Sequence, residues 1–301
     1  DSTVPYRERG YLYYRRFDAG EEYPLHARRR DAADAAEEVM LDLVELARGH
    51  DFYDVAELEV SPDNRLLAYA EDTVGRRQYS LRFKDLVTGA TLPDVVPNVE
   101  AAVVWNADGS SVLYVEKDPE TLLGSRVRRH VLGTDPSADP VVYEEADDSF
   151  YLDVGRSKDG RYLYIYSQST VSTEQRFADA ADPDLKFRIL IERERDHEYH
   201  AEHFEGRWII RTNWLAPDFR LVQVPVGEEA DRTRWQDLVA PDAGTFIHRF
   251  DVFRDFVAIE ERSGGLRKVR VRPWKGGEDF CLASDEPAYR MTLGDNEELD
   301  S

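Results

Sequence analysis

The chain has 301 residues, 42% of them hydrophobic, and carries 61 acidic against 39 basic side chains for a formal net charge of -22. That length and apolar content suffice for a large core, while the charge argues against nucleic acid or anionic membrane as a partner and favours cationic ligands. A single cysteine, Cys281, excludes an internal disulfide and makes a reducing, cytoplasmic compartment the expectation, and no apolar run approaches the roughly 18 residues of a membrane-spanning helix.

In chain order, the first unit runs from Tyr11-Leu12-Tyr13-Tyr14 through Tyr23 to Arg29 and on to about Leu46. Within it, Ala32 to Leu46 reads two ways: its Ala and Glu content favours a helix, whereas Val39-Met40-Leu41 also suits an outer strand. A repeated element follows, in which an apolar strand enters an Asp-centred turn and a second apolar strand leaves it. Val60-Ser61-Pro62-Asp63-Asn64 precedes Leu66 to Tyr69; Trp105-Asn106-Ala107-Asp108-Gly109 precedes Val112 to Val115; Ser157-Lys158-Asp159-Gly160 precedes Tyr162 to Tyr166. Weaker copies stand at Glu205-Gly206 and Arg254-Asp255. A spacing of about 45 to 50 residues, with several short strands per repeat, predicts an all-β propeller of four-stranded antiparallel blades.

Further units are expected to start near Leu58, Ala101, Phe150, Tyr199 and Phe246, which gives about six complete blades and the beginning of a seventh at Met291. Alternation in Gln78 to Phe83, Phe219 to Val224 and Arg267 to Arg272 marks outer strands. The Asp turns join first to second strands on one face. Loops from second to third strands emerge on the other: Glu71 to Gly75, Glu116 to Glu120, Gln168 to Thr173, Asn213 to Pro217 and Arg262 to Gly265. They vary far more than the Asp turns, so this face is the expected functional one.

Catalytic signatures are missing. There is no Gly-x-Ser-x-Gly elbow, no phosphate loop and no Cys-x-x-Cys pair, and no cofactor or metal is expected. His197-Glu198-Tyr199-His200 is one residue short of a zinc-helix spacing, and on a strand His200 points away from His197 and His203. The acidic runs Glu144-Glu145 and Asp147-Asp148 read as solvated loops, and Tyr13, Tyr14, Tyr162, Tyr164 and Tyr166 read as core between blades.

Several longer segments carry a resemblance: Arg76-Arg77-Gln78-Tyr79, Leu81 to Leu86, Lys117-Asp118-Pro119-Glu120-Thr121-Leu122-Leu123, His130 to Asp135, and Arg195-Asp196-His197-Glu198-Tyr199. They resemble the oligopeptidase B branch of the prolyl oligopeptidase family of serine peptidases, from Val4-Pro5-Tyr6 to about Tyr289. Gly124-Ser125-Arg126 and Arg128 depart from the pattern of relatives. The resemblance implies a seven-bladed propeller over residues 1–301 with its last blade truncated. It also implies an α/β-hydrolase domain, supplied by the same polypeptide beyond this chain, that holds the Ser-Asp-His triad.

On that resemblance the propeller gates and filters short peptides cut after Arg or Lys, and the chain itself holds no catalytic residue. The rival expectation is a stand-alone propeller that serves as a protein-interaction scaffold. Strand is favoured over helix for Val39 to Leu43. Substrate-facing positions carried over from the family are Leu113, Tyr114, Glu116, Phe150, Tyr151, Thr170 and Val171; Glu71, Arg76 and Glu116 are the candidates for charged pairs with the hydrolase domain.

Overall fold

The computed structural model describes residues 1–282, 284–294 and 296–300. The chain divides into two compact units. The first comprises Asp1–Arg156, Gly160–Ser167 and Phe177–Phe187; the second comprises Ser157–Asp159, Gln168–Arg176 and Arg188–Ser301.

Every sheet is an antiparallel meander in sequence order. The first sheet contains β1 (Tyr6–Glu8), β2 (Tyr11–Arg16), β3 (Leu25–Arg30) and β4 (Glu37–Asp42), and a single-turn helix α1 (Leu43–Leu46) follows it. Next comes a seven-stranded sheet made of β5 (Asp54–Val60), β6 (Leu66–Asp72), β7 (Tyr79–Asp85), β8 (Thr91–Trp105), β9 (Ser111–Lys117), β10 (Gly124–Val131) and β11 (Val141–Glu144). A further sheet is β12 (Tyr151–Arg156), β13 (Tyr162–Gln168), β14 (Thr173–Asp179) and β15 (Arg188–Ile189), with residues in both units. The second unit then holds β16 (Tyr199–Phe204), β17 (Arg207–Thr212), β18 (Arg220–Pro225) and β19 (Gln236–Val239), followed by β20 (Thr245–Val252), β21 (Phe256–Ser263), β22 (Leu266–Pro273) and β23 (Phe280–Cys281).

The all-β, four-stranded plan therefore stands, with one variation. The 15-residue β8 ends one four-strand unit and begins the next, so two expected blades share a continuous ladder. Ala32 to Leu46 resolves into both of its readings: Val39 to Leu41 lie in β4, and Leu43 to Leu46 form α1, whose first turn is capped by the Asp42 carboxylate accepting from Glu45 N.

The Asp turns are closed by local side-chain chemistry. Ser61 Oγ donates to Asp63 Oδ1 at 2.5 Å, Asp63 Oδ1 also accepts from Arg65 N at 3.1 Å, and Leu66 N donates to Ser61 Oγ at 2.8 Å. In the next copy Asp108 accepts from Ser110 N at 2.8 Å and Asn106 from Ser111 N at 3.0 Å, while Gly109 takes the left-handed φ of 70°. The strands leaving these turns are buried on both faces, as Leu67 to Asp72 and Ser111 to Val115 illustrate, whereas β7 alternates strictly. Both faces of β6 and β9 are therefore covered by neighbouring packing, and β7 is covered on one.

The first unit's core joins Tyr11, Tyr13, Met40, Leu41, Leu67 and Tyr69 in one cluster and Leu113, Val127, Leu163 and Ile165 in another. The second unit packs Phe204, Ile209, Leu221, Ile247, Val257 and Ile259. Of the five tyrosines expected in the core, Tyr13, Tyr162 and Tyr164 are buried, and Tyr14 and Tyr166 are half-buried.

Candidate functional site

In the seven-stranded sheet the loops from β6 to β7 and from β9 to β10 are each built on one carboxylate. Asp72 accepts from Val74 N and Gly75 N through Oδ1 (2.8 and 2.9 Å) and from Arg77 N through Oδ2 (2.7 Å). Desolvation alone would raise this carboxyl, but the backbone donors outweigh it and hold Asp72 below the usual carboxylate range. Gly75 has a φ of 77°, and a Cβ there would lie 3.3 Å from the Phe52 ring, so the turn needs glycine twice over. In the next loop Asp118 accepts from Glu120 N at 2.9 Å and Thr121 N at 2.8 Å. The two loops are tied together by Lys117, which is buried, donates from Nζ to the Arg77 carbonyl and pairs with Glu100 at 3.1 Å.

Several expected site residues are consumed by this scaffold. Glu71 is buried and accepts from the Tyr53 hydroxyl at 2.8 Å and from Arg82 Nε at 2.6 Å. Burial first, and the hydrogen bond to Glu71 second, push the Tyr53 phenol up. Glu116 pairs with Arg128 at 2.8 Å and Arg126 at 3.5 Å. Leu113 lies within a core cluster, and the buried Tyr114 donates its hydroxyl to Asp139 at 3.0 Å. Phe150 is buried as well.

Others do reach the surface. Tyr151 is 68% exposed; Thr170 and Val171 are exposed on a loop closed by Ser169 N donating to Ser172 O at 2.9 Å. Arg76 is exposed, and among the described residues no carboxylate pairs with its guanidinium. At the same ends of the first unit's strands the apolar side chains of Phe52, Val74 and Leu122 are exposed, with the Phe52 ring against the loop that carries Val74 and Arg76. In the second unit the corresponding loops expose Val171 and Leu215. A sequence signal was present at Val74 and Val171, each the one apolar residue inside an otherwise polar loop, and for Lys117 it was absent, because a lysine at a strand end reads as solvated.

The three histidines are separated by their bonds. His197 is buried with Nε2 2.9 Å from Thr212 Oγ1, and burial followed by the nearby Arg232 pushes it down to about 4. His203 sits at the other end of β16, with Nδ1 2.6 Å from Asp159 Oδ2. His200 points to the opposite face from His203, as the strand alternation requires.

Residues 1–298 match the family model described as prolyl oligopeptidase, N-terminal beta-propeller domain. Among curated proteins, the chain is 49% identical over 314 residues to dipeptidyl aminopeptidase BI of Pseudoxanthomonas mexicana, with 99% of this chain and 43% of that protein covered. It is 32% identical over 308 residues to protease 2 of Moraxella lacunata, covering 100% of this chain and 44% of that protein. Among solved structures, oligopeptidase B from Leishmania major superposes with a TM-score of 0.89 at 28% identity, covering 95% of this chain and 42% of that one. The chain thus spans less than half the length of the relatives it matches.

Proposed function

Because the chain belongs to the prolyl oligopeptidase N-terminal β-propeller domain family, we propose that it is the non-catalytic gate of a serine oligopeptidase, working against an α/β-hydrolase domain of the same polypeptide. In this reading the blades number seven, the hydrolase domain supplies serine, histidine and aspartate for acyl transfer, and the propeller contributes no bond-breaking group. Its work is to exclude folded proteins and bulk water while admitting short, flexible peptides.

The observation that carries the proposal is the rigid, partly apolar loop end of the first unit. Carboxylate-clamped loops present Val74 and Leu122 to the surface, Phe52 and Tyr151 are exposed at the starts of neighbouring first strands, and Arg76 has no carboxylate partner among the described residues, a pattern suited to a second domain or a peptide and costly to leave in water. Glu71, Leu113, Tyr114, Glu116 and Phe150 support that surface from beneath, and Arg76 and Tyr151 meet what docks there; Thr170 and Val171 face peptide on a loop of the second unit. Cleavage after Arg or Lys agrees with the net charge of -22, which attracts basic peptides at long range. A second reading, release of dipeptides, draws on the 49% identity to a protein named dipeptidyl aminopeptidase BI.

The test uses the full-length protein. A peptide with one internal Arg, the same peptide with a blocked amino terminus, and a folded protein with exposed Arg residues are incubated with it, and the products are read by mass spectrometry. Cleavage after Arg in both peptides and none in the folded protein is expected. Dipeptide release from the unblocked peptide alone supports the second reading. Equal cleavage of the folded protein removes the gate, and no cleavage of anything, with no labelling by a serine-directed phosphonate, removes the peptidase.

A further inference from the structure

Acidic side chains outnumber basic ones in this chain, and arginines of the second unit commonly find them. Arg220 pairs with Asp237 at 3.1 Å, Arg232 with Glu194 at 2.6 Å, Arg249 with Glu260 at 3.1 Å and Arg270 with Glu261 at 2.7 Å. Arg211 and Arg262 are different: among the described residues, no carboxylate lies in ion-pair range of either.

Both stand where a second strand runs into its loop, Arg211 one residue before the end of β17 and Arg262 one residue before the end of β21. The half-buried Arg211 uses Nε to donate to the Ile247 carbonyl at 2.8 Å. Its guanidinium carbon lies 3.4 Å from the centroid of Phe219 and 5.9 Å from that of Phe246. The exposed Arg262 approaches the same Phe246 ring at 5.8 Å. Phe219 and Phe246 pack edge to face at 5.4 Å. Two guanidinium groups therefore flank one aromatic wall, and among the described residues the terminal nitrogens of Arg211 are spent on no hydrogen bond.

The carboxylates that act on this setting do so from beyond ion-pair range of Arg211 and Arg262: Glu198 on Arg211 and Glu260 on His248. Desolvation first, then Arg211, pushes His200 down to about 4. His248, 4.7 Å from Phe246, is likewise lowered, first by burial and then by Arg267, and its Nε2 is buried without a hydrogen-bond partner. Desolvation pushes Arg211 itself down to about 10, so it stays charged at neutral pH at a cost that the fold does not offset with an ion pair.

We propose that Arg211 and Arg262, walled by Phe219 and Phe246, form a carboxylate-binding site that takes the free C-terminal carboxylate of a short peptide. The inference rests on the peptidase reading above. A planar guanidinium with unused N–H groups is matched to a carboxylate's two oxygens, and aromatic walls accommodate an apolar side chain beside it. Such a site would hold the end of the peptide opposite its amino terminus and bias the enzyme toward peptides short enough to place that end here.

Calorimetric titration of the full-length protein with N-acetyl-Gly-Phe as the free acid and as the amide tests the site without needing turnover. The acid should bind about tenfold more tightly than the amide, the worth of one charge-assisted hydrogen-bonded pair. Arg211→Gln and Arg262→Gln should each bring that ratio close to one while leaving amide binding alone; the Arg262 variant is at an exposed position and keeps the test valid if the Arg211 variant fails to fold. Equal binding of acid and amide to the natural protein would overturn the proposal, as would variants that keep the preference. An N-acetyl-Glu-Phe amide that binds as well as the free acid would overturn the assignment to the peptide terminus. Variants that change solution scattering but not the acid-to-amide ratio would assign the arginines to a neighbouring domain instead. A protein that cleaves no peptide yet shows the ratio would refute the peptidase reading and keep the site.

Discussion

The two units treat charge differently at the loop ends of their sheets. In the first, charges are spent inward: Asp72 and Asp118 on backbone amides, Glu71 on Tyr53 and Arg82, Glu116 on Arg126 and Arg128, Lys117 on a carbonyl and Glu100. In the second, Arg211 and Arg262 are left without carboxylates and lean on aromatic rings. Paired charges hold loops in place and give little to a ligand. Unpaired ones cost the fold something and keep their binding capacity, so a charged residue's type says less about its role than whether its partner lies within the chain.

The largest effect expected from this comparison falls on the first unit's packing. Leu113 lies among Val104, Val115, Val127, Leu163 and Ile165, and Leu113→Asp or Ile165→Asp would bury a charge with no partner. A loss of about 3 kcal/mol or more is expected, read as a fall in the midpoint of denaturant unfolding. Unfolding midpoints equal to those of the natural protein would show that these strands are not a buried scaffold. Next in size is Glu71→Ala, which strands both the Tyr53 hydroxyl and the Arg82 guanidinium. About 1–3 kcal/mol is expected, toward the lower part because Arg82 is partly exposed and its ionic share is screened. A double-mutant cycle with Tyr53→Phe should show coupling, and strict additivity would argue that the pair does not act as one.

How much of this was legible in the sequence depended on distance along the chain. The Asp turns were, because Ser61, Asp63 and Arg65 bond within a few residues of one another. The doubly buried strands after them were legible as continuous apolar runs. The continuity of β8 was not, since Pro93 and Pro97 argue for a break and Asn98 takes a φ of 59°, yet the strand tolerates them at irregularities in its pairing. Glu71 and Glu116 read as loop charges, and only the fold brings Tyr53 and Arg128 to them. Leu113 and Tyr114, expected to face substrate, are buried because their strand is covered on both sides. Arg211 gave no sequence signal at all: an arginine before a polar loop looks solvated, and the absence of a carboxylate near it is visible only in three dimensions.

A pH-dependent effect separates cost from pairing within the first unit. Glu59, half-buried on β5, has an Oε2 atom without a hydrogen-bond partner, and burial pushes its carboxyl up to about 8, with Arg156 and Arg9 opposing and Glu8 and Glu57 reinforcing. Folding then favours the protonated form. The sign follows: stability from this group is fully present below its ordinary value of 4.5, declines as pH rises toward about 8, and stays at the lower level above that. Glu59→Gln should flatten this part of the pH profile and leave the variant more stable than the natural protein at about pH 9. Melting curves with the same pH slope in both proteins would show that Glu59 is already matched by the arginines.

The smallest effect on stability is expected at Arg76, and it sharpens the comparison most. Arg76 is the exposed exception in the first unit, held out by a loop whose backbone is fixed by Asp72 and Lys117 and lacking a carboxylate partner among the described residues. Arg76→Ala removes no internal bond of the side chain, so its unfolding free energy should stay within about 0.5 kcal/mol of the natural value. If the residue serves a second domain, the full-length variant should shift toward an open state in solution scattering. Glu116→Ala, whose partners Arg126 and Arg128 lie in the same unit, should instead lose some stability and leave the scattering profile alone. The reverse pattern, closure lost with Glu116 and untouched by Arg76, would mean that a carboxylate paired within the chain can exchange its partner for one outside it, and the distinction between spent and available charge would fail at this loop.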